Sequence, residues 1–256
     1  MPTMEFYNMD DKLFHVYFRS ENIPTWPCPM CGANSLSCSD GDFRSEYKTP
    51  IDSNHPGFSP DYIEYVFNMS LKCTIPTCDS RVMCIGTGDV SQEYLDDGSS
   101  DWDWFNNFEV KFFEPPLRFF IPPKGTPSGV IKALETSFST FFSSPSTSLS
   151  TLRAALEVLL GEMEVSSIDA NGKFLPLAKR INLLPDGSRK IIEPATAIRW
   201  LGNDGTHSGY HVRKSDVIDG YNIFEHILVE LYPEQKASIE ALVERINTAK
   251  GLGRTA

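Results

Sequence analysis

A proline-rich segment divides the chain into two stretches whose hydrophobic residues repeat with different periods. Five prolines occur between Glu114 and Pro127, and so many rigid residues without a backbone N–H exclude a continuous helix or a central strand there. Apolar residues alternate before this segment and follow the helical period after it. We therefore predict an α+β fold in which a linker joins a β-rich domain at residues 1–125 to an all-helical domain at residues 126–256.

Four segments before the prolines have the sequence pattern of β-strands, and the first of them is residues 12–19. Residues 62–72 alternate apolar and polar side chains in strict order, which is typical of a half-buried strand. Residues 81–85 and 108–113 are rich in β-branched and aromatic side chains and predict two further strands. Four aspartates lie between these two strands: Asp96, Asp97, Asp101 and Asp103. They lack the glycine-anchored pattern of a calcium loop, so we interpret them as a solvated acidic loop that serves solubility or a basic partner.

The residues after the prolines carry apolar stripes at helical spacing, which predict a bundle of four to six core-facing helices. These helices are predicted around residues 130–142, 149–163, 177–184, 194–200, 217–231 and 237–246. Ser148 and Ser215 are the predicted N-caps of the second and fifth of them, because a serine hydroxyl can accept a hydrogen bond from a free backbone N–H.

The net charge of −11 is concentrated in the N-terminal half of the chain. Residues 1–125 contain 19 acidic and 9 basic side chains, whereas residues 126–256 contain 15 and 14. This composition excludes a broad basic groove for nucleic acid, so any RNA site would have to be local. The chain has no apolar stretch near the roughly 20 residues that span a bilayer and no secretory-signal pattern at its start, and we predict a cytoplasmic protein without a membrane partner.

Two cysteine pairs indicate a metal site. Cys28 and Cys31 belong to a Cys-Pro-Met-Cys-Gly sequence, and Cys73 and Cys78 follow directly on the most regular predicted strand. Thiolates this close in sequence can reach one tetrahedral ion, and two such pairs describe a zinc-ribbon-like clamp. Four protein sulfurs would leave no open coordination position, so the predicted zinc is structural. The alternative is that these cysteines are buried and free, as is common for this residue.

The helical half also carries a family resemblance. The run from Val130 to Tyr232 resembles the domain-of-unknown-function family 4145, which is similar to the HEPN helical bundles. Three sequences carry the resemblance: Leu152-Arg153-Ala154-Ala155-Leu156-Glu157, Lys179-Arg180-Ile181, and the stretch from Ile198-Arg199-Trp200 to Thr206-His207. The cysteine-bearing region also resembles what commonly precedes this domain.

The resemblance implies a HEPN-like bundle and a site for RNA. HEPN domains are implicated in RNA cleavage in prokaryotic toxin–antitoxin and anti-phage defence systems, through an Arg and a His across a two-fold dimer. Arg199, Asn203 and His207 are the matching candidate catalytic residues, although seven residues separate Arg199 from His207, more than in the HEPN pattern. A histidine can move a proton near neutral pH, and an arginine can hold a phosphate.

Two functional hypotheses remain open at this point. In the first, the chain is a metal-independent endoribonuclease that acts as a dimeric effector of a defence or toxin–antitoxin system. In the second, it is a binding module for RNA, a nucleotide or a partner protein, with the zinc half as an adaptor. Arg199 and His207 have an equally simple structural interpretation, as an ion pair or carbonyl cap and a hydrogen-bonded histidine at a glycine-rich helix junction.

Overall fold

The computed structural model describes residues 17–94, 102–204, 211–233 and 243–248. It has the predicted α+β class, because an antiparallel sheet is followed by a helical region. The predicted aspartates Asp96, Asp97 and Asp101 lie outside the described residues, as do His207 and residues 234–242.

Five antiparallel strands form one sheet in sequence order. They are β1 (Trp26–Pro27), β2 (Asn34–Tyr47), β3 (Glu64–Cys73), β4 (Arg81–Tyr94) and β5 (Trp102–Glu114). The alternation predicted for residues 62–72 is confirmed in β3, whose buried residues recur at every second position. β4 and β5 are longer than the sequence predicted, and β2 was not predicted at all.

The sheet curls around an aromatic core. Phe18 pairs with Phe108 through two backbone hydrogen bonds of 2.9 and 2.8 Å, which brings the chain preceding β1 against the edge of β5. The Phe18 ring makes edge contacts with Phe67 and Trp26 at centroid distances of 5.5 and 6.0 Å. Two glycines of β4, Gly86 and Gly88, leave room for these rings, because a Cβ at either position would lie under 3 Å from Phe67 or Phe108.

In the part of the chain that the structure describes, five helices follow the sheet before residue 233, and their positions agree with the helical stripes in the sequence. They are α1 (Ser128–Thr140), α2 (Pro145–Glu162), α3 (Leu177–Asn182), α4 (Ile192–Asp204) and α5 (Lys214–Leu231). Residues 243–248 are also helical and exposed. Both predicted N-caps are wrong: Ser144 caps α2, and Arg213 is the N-cap residue of α5, where its backbone N–H donates to the Asp216 carboxylate at 2.8 Å.

Ser148 has a different role from the predicted one. It is fully buried, and its hydroxyl lies 2.6 Å from the Tyr221 hydroxyl and donates to the Ser137 carbonyl at 2.9 Å. Ser137 lies 3.1 Å from the same tyrosine oxygen. This network satisfies three buried hydroxyls at once and joins α1, α2 and α5.

The proline-rich segment contains no helix or strand, as predicted, but it is packed rather than exposed. Leu117, Phe119 and Phe120 are buried, and the Phe119 ring lies 4.7 Å from that of Tyr221. Buried side chains of the sheet and the helices form one continuous hydrophobic core. The division into two domains and the HEPN-like identity of the helices stay predictions. Among the described residues, no helix has the length and apolarity to cross a membrane.

Candidate metal centre

The four predicted cysteine ligands come together at one end of the sheet. Cys28 and Cys31 lie in the turn between β1 and β2, while Cys73 ends β3 and Cys78 lies in the turn to β4. Antiparallel pairing sets this juxtaposition, because Leu36 of β2 is opposite both Trp26 and Cys73. The two turns are therefore held side by side by the sheet itself.

The sulfur atoms have the spacing of a four-sulfur metal site. All four lie within 4.8 Å of one another. Cys28 Sγ is 3.7 Å from Cys78 Sγ, and Cys31 Sγ is 3.8 Å from Cys73 Sγ. Zinc–sulfur bonds of about 2.3 Å place the corners of a regular tetrahedron about 3.8 Å apart. Every cysteine is free of disulfide bonds, so the four sulfurs could together hold a metal ion.

Both turns form tight loops around their sulfurs. In the first, Gly32 N–H donates to the Cys28 carbonyl at 2.8 Å, and Gly32 adopts a φ of 75°, which favours glycine. In the second, Cys78 N–H donates to the Ile75 carbonyl at 3.0 Å, and Asp79 has a φ of 47°. In each turn the residue after the second cysteine is thus left-handed. This fits the predicted zinc-ribbon-like region.

Hydrogen bonds to the buried sulfur of Cys28 favour its thiolate form. Burial alone would raise the pKa of Cys28, but hydrogen bonds from Ser80, from the backbone N–H groups of Cys31 and Met30 and from Cys78 lower it to about 7. The Ser80 hydroxyl lies 3.0 Å from Cys28 Sγ, and the buried Ser35 hydroxyl lies 3.1 Å from Cys73 Sγ.

The three neighbouring sulfurs disfavour the thiolate form of Cys31. The backbone N–H of Ala33 favours its thiolate, but desolvation and the neighbouring Cys28, Cys73 and Cys78 raise the pKa of Cys31 to about 11. A second negative sulfur beside the first is disfavoured unless a cation lies between them, and a divalent ion would reverse that preference. The raised pKa of Cys31 and the spacing of the four sulfurs therefore both favour a bound divalent metal ion.

Two family models match the chain. The model of Domain of unknown function (DUF8608) matches residues 16–115, which contain the whole sheet and the four clustered cysteines. The model of Domain of unknown function (DUF4145) matches residues 135–249 and covers the helices from within α1 onward. The second match agrees with the resemblance in the sequence. Neither the curated proteins nor the solved structures contain a match to this chain.

The two remaining cysteines lie apart from the cluster. Cys84 is buried in β4, where burial and then the charge of Cys38 raise its pKa. Cys38 lies in β2, half-buried, and burial followed by the charges of Asp42 and Asp40 raises its pKa. Neither belongs to the metal-ligand group found among the described residues.

The residues predicted for RNA chemistry lie on α4. Arg199 and Asn203 are four positions apart, so they lie one turn apart on the same side of the helix. The Arg199 guanidinium carbon is 3.9 Å from the centroid of the Trp200 ring, and Trp200 is 57% exposed. Because His207 lies outside the described residues, its place relative to Arg199 stays a prediction.

Two residues beside the candidate metal site, Ser35 and Ser80, were not predicted from the sequence. Ser80 follows Cys78 by two positions, which is the only local hint of its role. Ser35 comes close to Cys73 only because β2 pairs with β3.

Proposed function

We propose that Cys28, Cys31, Cys73 and Cys78 hold one structural zinc ion. The observation that carries this proposal is the mutual approach of the four sulfurs within 4.8 Å. Zinc suits four thiolates in a tetrahedron, whereas magnesium and calcium prefer oxygen ligands. Since the protein would fill all four coordination positions, the ion would hold the two turns together and would not activate water or substrate.

A cytoplasmic location belongs to this proposal. A reducing compartment keeps thiols free for metal ligation, and all six cysteines of the chain are free. The zinc would then contribute to folding where an exported protein would use disulfides.

Metal analysis tests the zinc proposal. Protein purified without added chelator should contain about one zinc ion per chain, because the sulfurs form one tetrahedral set. A zinc-binding dye added with a thiol-blocking reagent should report the release of the same amount. Carefully prepared, folded protein without zinc would contradict the proposal, and iron in its place would correct the identity of the metal.

We further propose that the helical region is an RNA- or nucleotide-binding module, with Arg199 and Asn203 in its site. Support comes from the stacking of Arg199 on the exposed Trp200. In nucleic-acid sites an arginine typically binds the phosphate, and an aromatic ring stacks on a base. His207 would add proton transfer in an endoribonuclease, and a homodimer would complete such a site. A defence-system or antitoxin protein is the partner that goes with this proposal.

The alternative is a non-catalytic adaptor that contacts other proteins. The small acidic excess of residues 126–256 gives no general attraction for RNA, which favours this alternative over a broad nucleic-acid binder. In that case Arg199 and Trp200 would contact a protein surface, where arginine and tryptophan are enriched.

Two variants separate these functions. If His207 transfers a proton, His207→Ala should lower cleavage of a mixed RNA pool by about 100-fold or more while binding changes less. Arg199→Ala should weaken RNA binding because it removes the phosphate contact. If His207 has only a structural role, His207→Ala should instead lower the free energy of unfolding by about 1–3 kcal/mol.

Cleavage and RNA binding are measured for the wild-type protein beside the variants. Cleavage that survives His207→Ala would exclude His207 as the catalyst. RNA binding without cleavage would support the binding module, and the absence of both would favour the protein adaptor.

A further inference from the structure

The outer face of the sheet, opposite its aromatic core, carries apolar side chains that the fold leaves exposed. Along β3 and β4, residues of the core alternate with residues of this outer face. Val66, Met83 and Ile85 belong to the outer face and are between 43% and 49% exposed. Phe112 of β5, which pairs with Ile85, adds a fourth apolar side chain at 36% exposure.

These four side chains form one patch. Ile85 and Phe112 are directly opposite each other, Met83 is the next outer residue along β4, and Val66 lies diagonally across from Ile85 on β3. Neighbours at these positions are within reach of each other on a sheet. An antiparallel sheet with one solvated face normally places polar side chains there, so an apolar patch in its middle indicates a contact surface.

The charges of β3 and β4 on this face lie at its two ends. Lys72 pairs with Arg81 at the end near the cysteines, and Glu64 pairs with Asp89 at the other end. Two positive charges at one end therefore balance two negative charges at the other, although the whole chain has a net charge of −11.

The two ends are equally far from the middle of the face. Arg81 and Asp89 each lie four residues from Ile85 along β4. In β3 the lysine and the glutamate likewise lie four residues from Asn68, which pairs with Ile85. A line across the strands through this pair thus divides the outer face into a positive and a negative half. Rotating a second copy by 180° about that line places its negative end over the positive end of the first, which is the self-complementarity of a two-fold dimer.

Two of these charges are available to a second copy. Lys72 already pairs with Asp79 at 2.6 Å, and Glu64 pairs with Lys48 at 3.1 Å. Arg81 and Asp89, by contrast, are exposed and form no salt bridge with any residue that the structure describes. The central strand β4 therefore offers one unpaired charge of each sign on either side of the apolar patch.

We propose that two copies of this chain associate through their outer faces in a two-fold dimer, in which Arg81 of each copy pairs with Asp89 of the other. The apolar patches would meet at the axis, where Ile85 contacts its own counterpart. Face-to-face sheets pack about 10 Å apart with their strands within about 30° of each other. This dimer depends on neither zinc nor RNA, and a dimer that completes an RNA site would use the helices instead.

The size and the margins of the face set the expected affinity. Five alternate positions extend about 26 Å along a strand, and four strands are about 15 Å wide, which is the lower end for specific interfaces. At the margins, Arg44 would lie beside its own counterpart, next to Glu46 of the second copy. Glu114 would approach Glu109, which already pairs with Lys214. We therefore expect a reversible dimer with a Kd of about 1–100 μM.

Sedimentation equilibrium of the full-length protein, at concentrations on both sides of that Kd, tests the proposal. Arg81→Asp and Asp89→Arg should each raise the Kd by at least about 10-fold, because each creates two like-charge contacts across the axis. An equimolar mixture of the two variants should recover a dimer of nearly wild-type affinity, since both contacts then join opposite charges. Structural damage by either substitution would not be reversed by mixing.

Lys173→Asp is the matched control, because it makes the same change in net charge as Arg81→Asp at an exposed residue outside the sheet. Its Kd should equal that of the wild type, and unchanged melting temperatures should show that every variant is folded. A wild-type protein that stays monomeric, or variants that fail to associate when mixed, would overturn the proposal. A dimer that neither Arg81→Asp nor Asp89→Arg weakens would overturn it as well, and would place the interface on another part of the chain.

Discussion

At Cys28 and Cys73, a serine hydroxyl lies within hydrogen-bond reach of each buried sulfur. A buried thiolate costs free energy unless donors compensate it, and the Ser80 hydroxyl supplies such a donor to Cys28 at 3.0 Å. Cys84 is equally buried but has no such donor, and its pKa is raised. The surroundings of Cys28 therefore suit a metal ligand, whereas those of Cys84 in β4 suit a packed core residue.

Two cysteine substitutions should therefore have different effects. Cys28→Ser removes one ligand, so zinc content should fall close to zero and the melting temperature should drop. Cys84→Ala removes only a buried sulfur, so it should retain zinc and lose about 1 kcal/mol of stability. Metal analysis and a melting curve of each variant check this. Equal zinc content in the two variants would contradict the assignment of Cys28 as a ligand.

At the scale of the elements, the sequence predicted what local patterns determine. Strict alternation gave β3, and apolar stripes gave the helices. β2 escaped prediction because its centre, Ser-Asp-Gly-Asp, has low strand propensity and interrupts the pairing with β3, which continues on either side of it. Ser148 was misassigned as a cap because its partners, Ser137 and Tyr221, are distant in sequence.

In the candidate metal site, too, only contacts between residues close in sequence could be predicted. The cysteine pairs could be predicted because each pair lies in one local turn. That the two pairs meet could only be assumed, since it depends on the register between β2 and β3. Ser35, whose contact with Cys73 depends on that register, carried no signal in the sequence.

Helix packing at α4 gives a prediction at this scale. A Cβ on Gly202 would lie 2.4 Å from Arg153 Cβ of α2, so the two helices approach closely only because this residue is glycine. Gly202→Ala should lower the free energy of unfolding by about 1–3 kcal/mol through overpacking. Gly161→Ala is the control, because α2 has open space there and alanine should add about 0.5–1 kcal/mol. Denaturant titration measures both, and equal effects would refute the close packing.

At the scale of the whole molecule, aromatic rings connect the candidate metal centre to the helices. Trp26 lies two residues before Cys28, and its ring contacts Phe113 at 5.4 Å. Phe113 contacts Phe142, which lies between α1 and α2, at 5.0 Å. The buried Phe119 continues the contact to Tyr221 of α5. A metal ion that stabilises the cysteine turns should therefore also stabilise the helical region, because both pack into the same core.

Removal of the metal should accordingly weaken the whole molecule in one step. Zinc binding contributes directly to folding, so a strong chelator should lower the melting temperature by about 10 °C or more. The near-ultraviolet circular dichroism of the aromatic rings and the far-ultraviolet signal of the helices should fall together at the same temperature, because both belong to one core. If chelation abolished the aromatic signal while the helices melted at an unchanged temperature, the two halves would be independent domains, and the coupling through Phe113 and Phe142 would be energetically negligible.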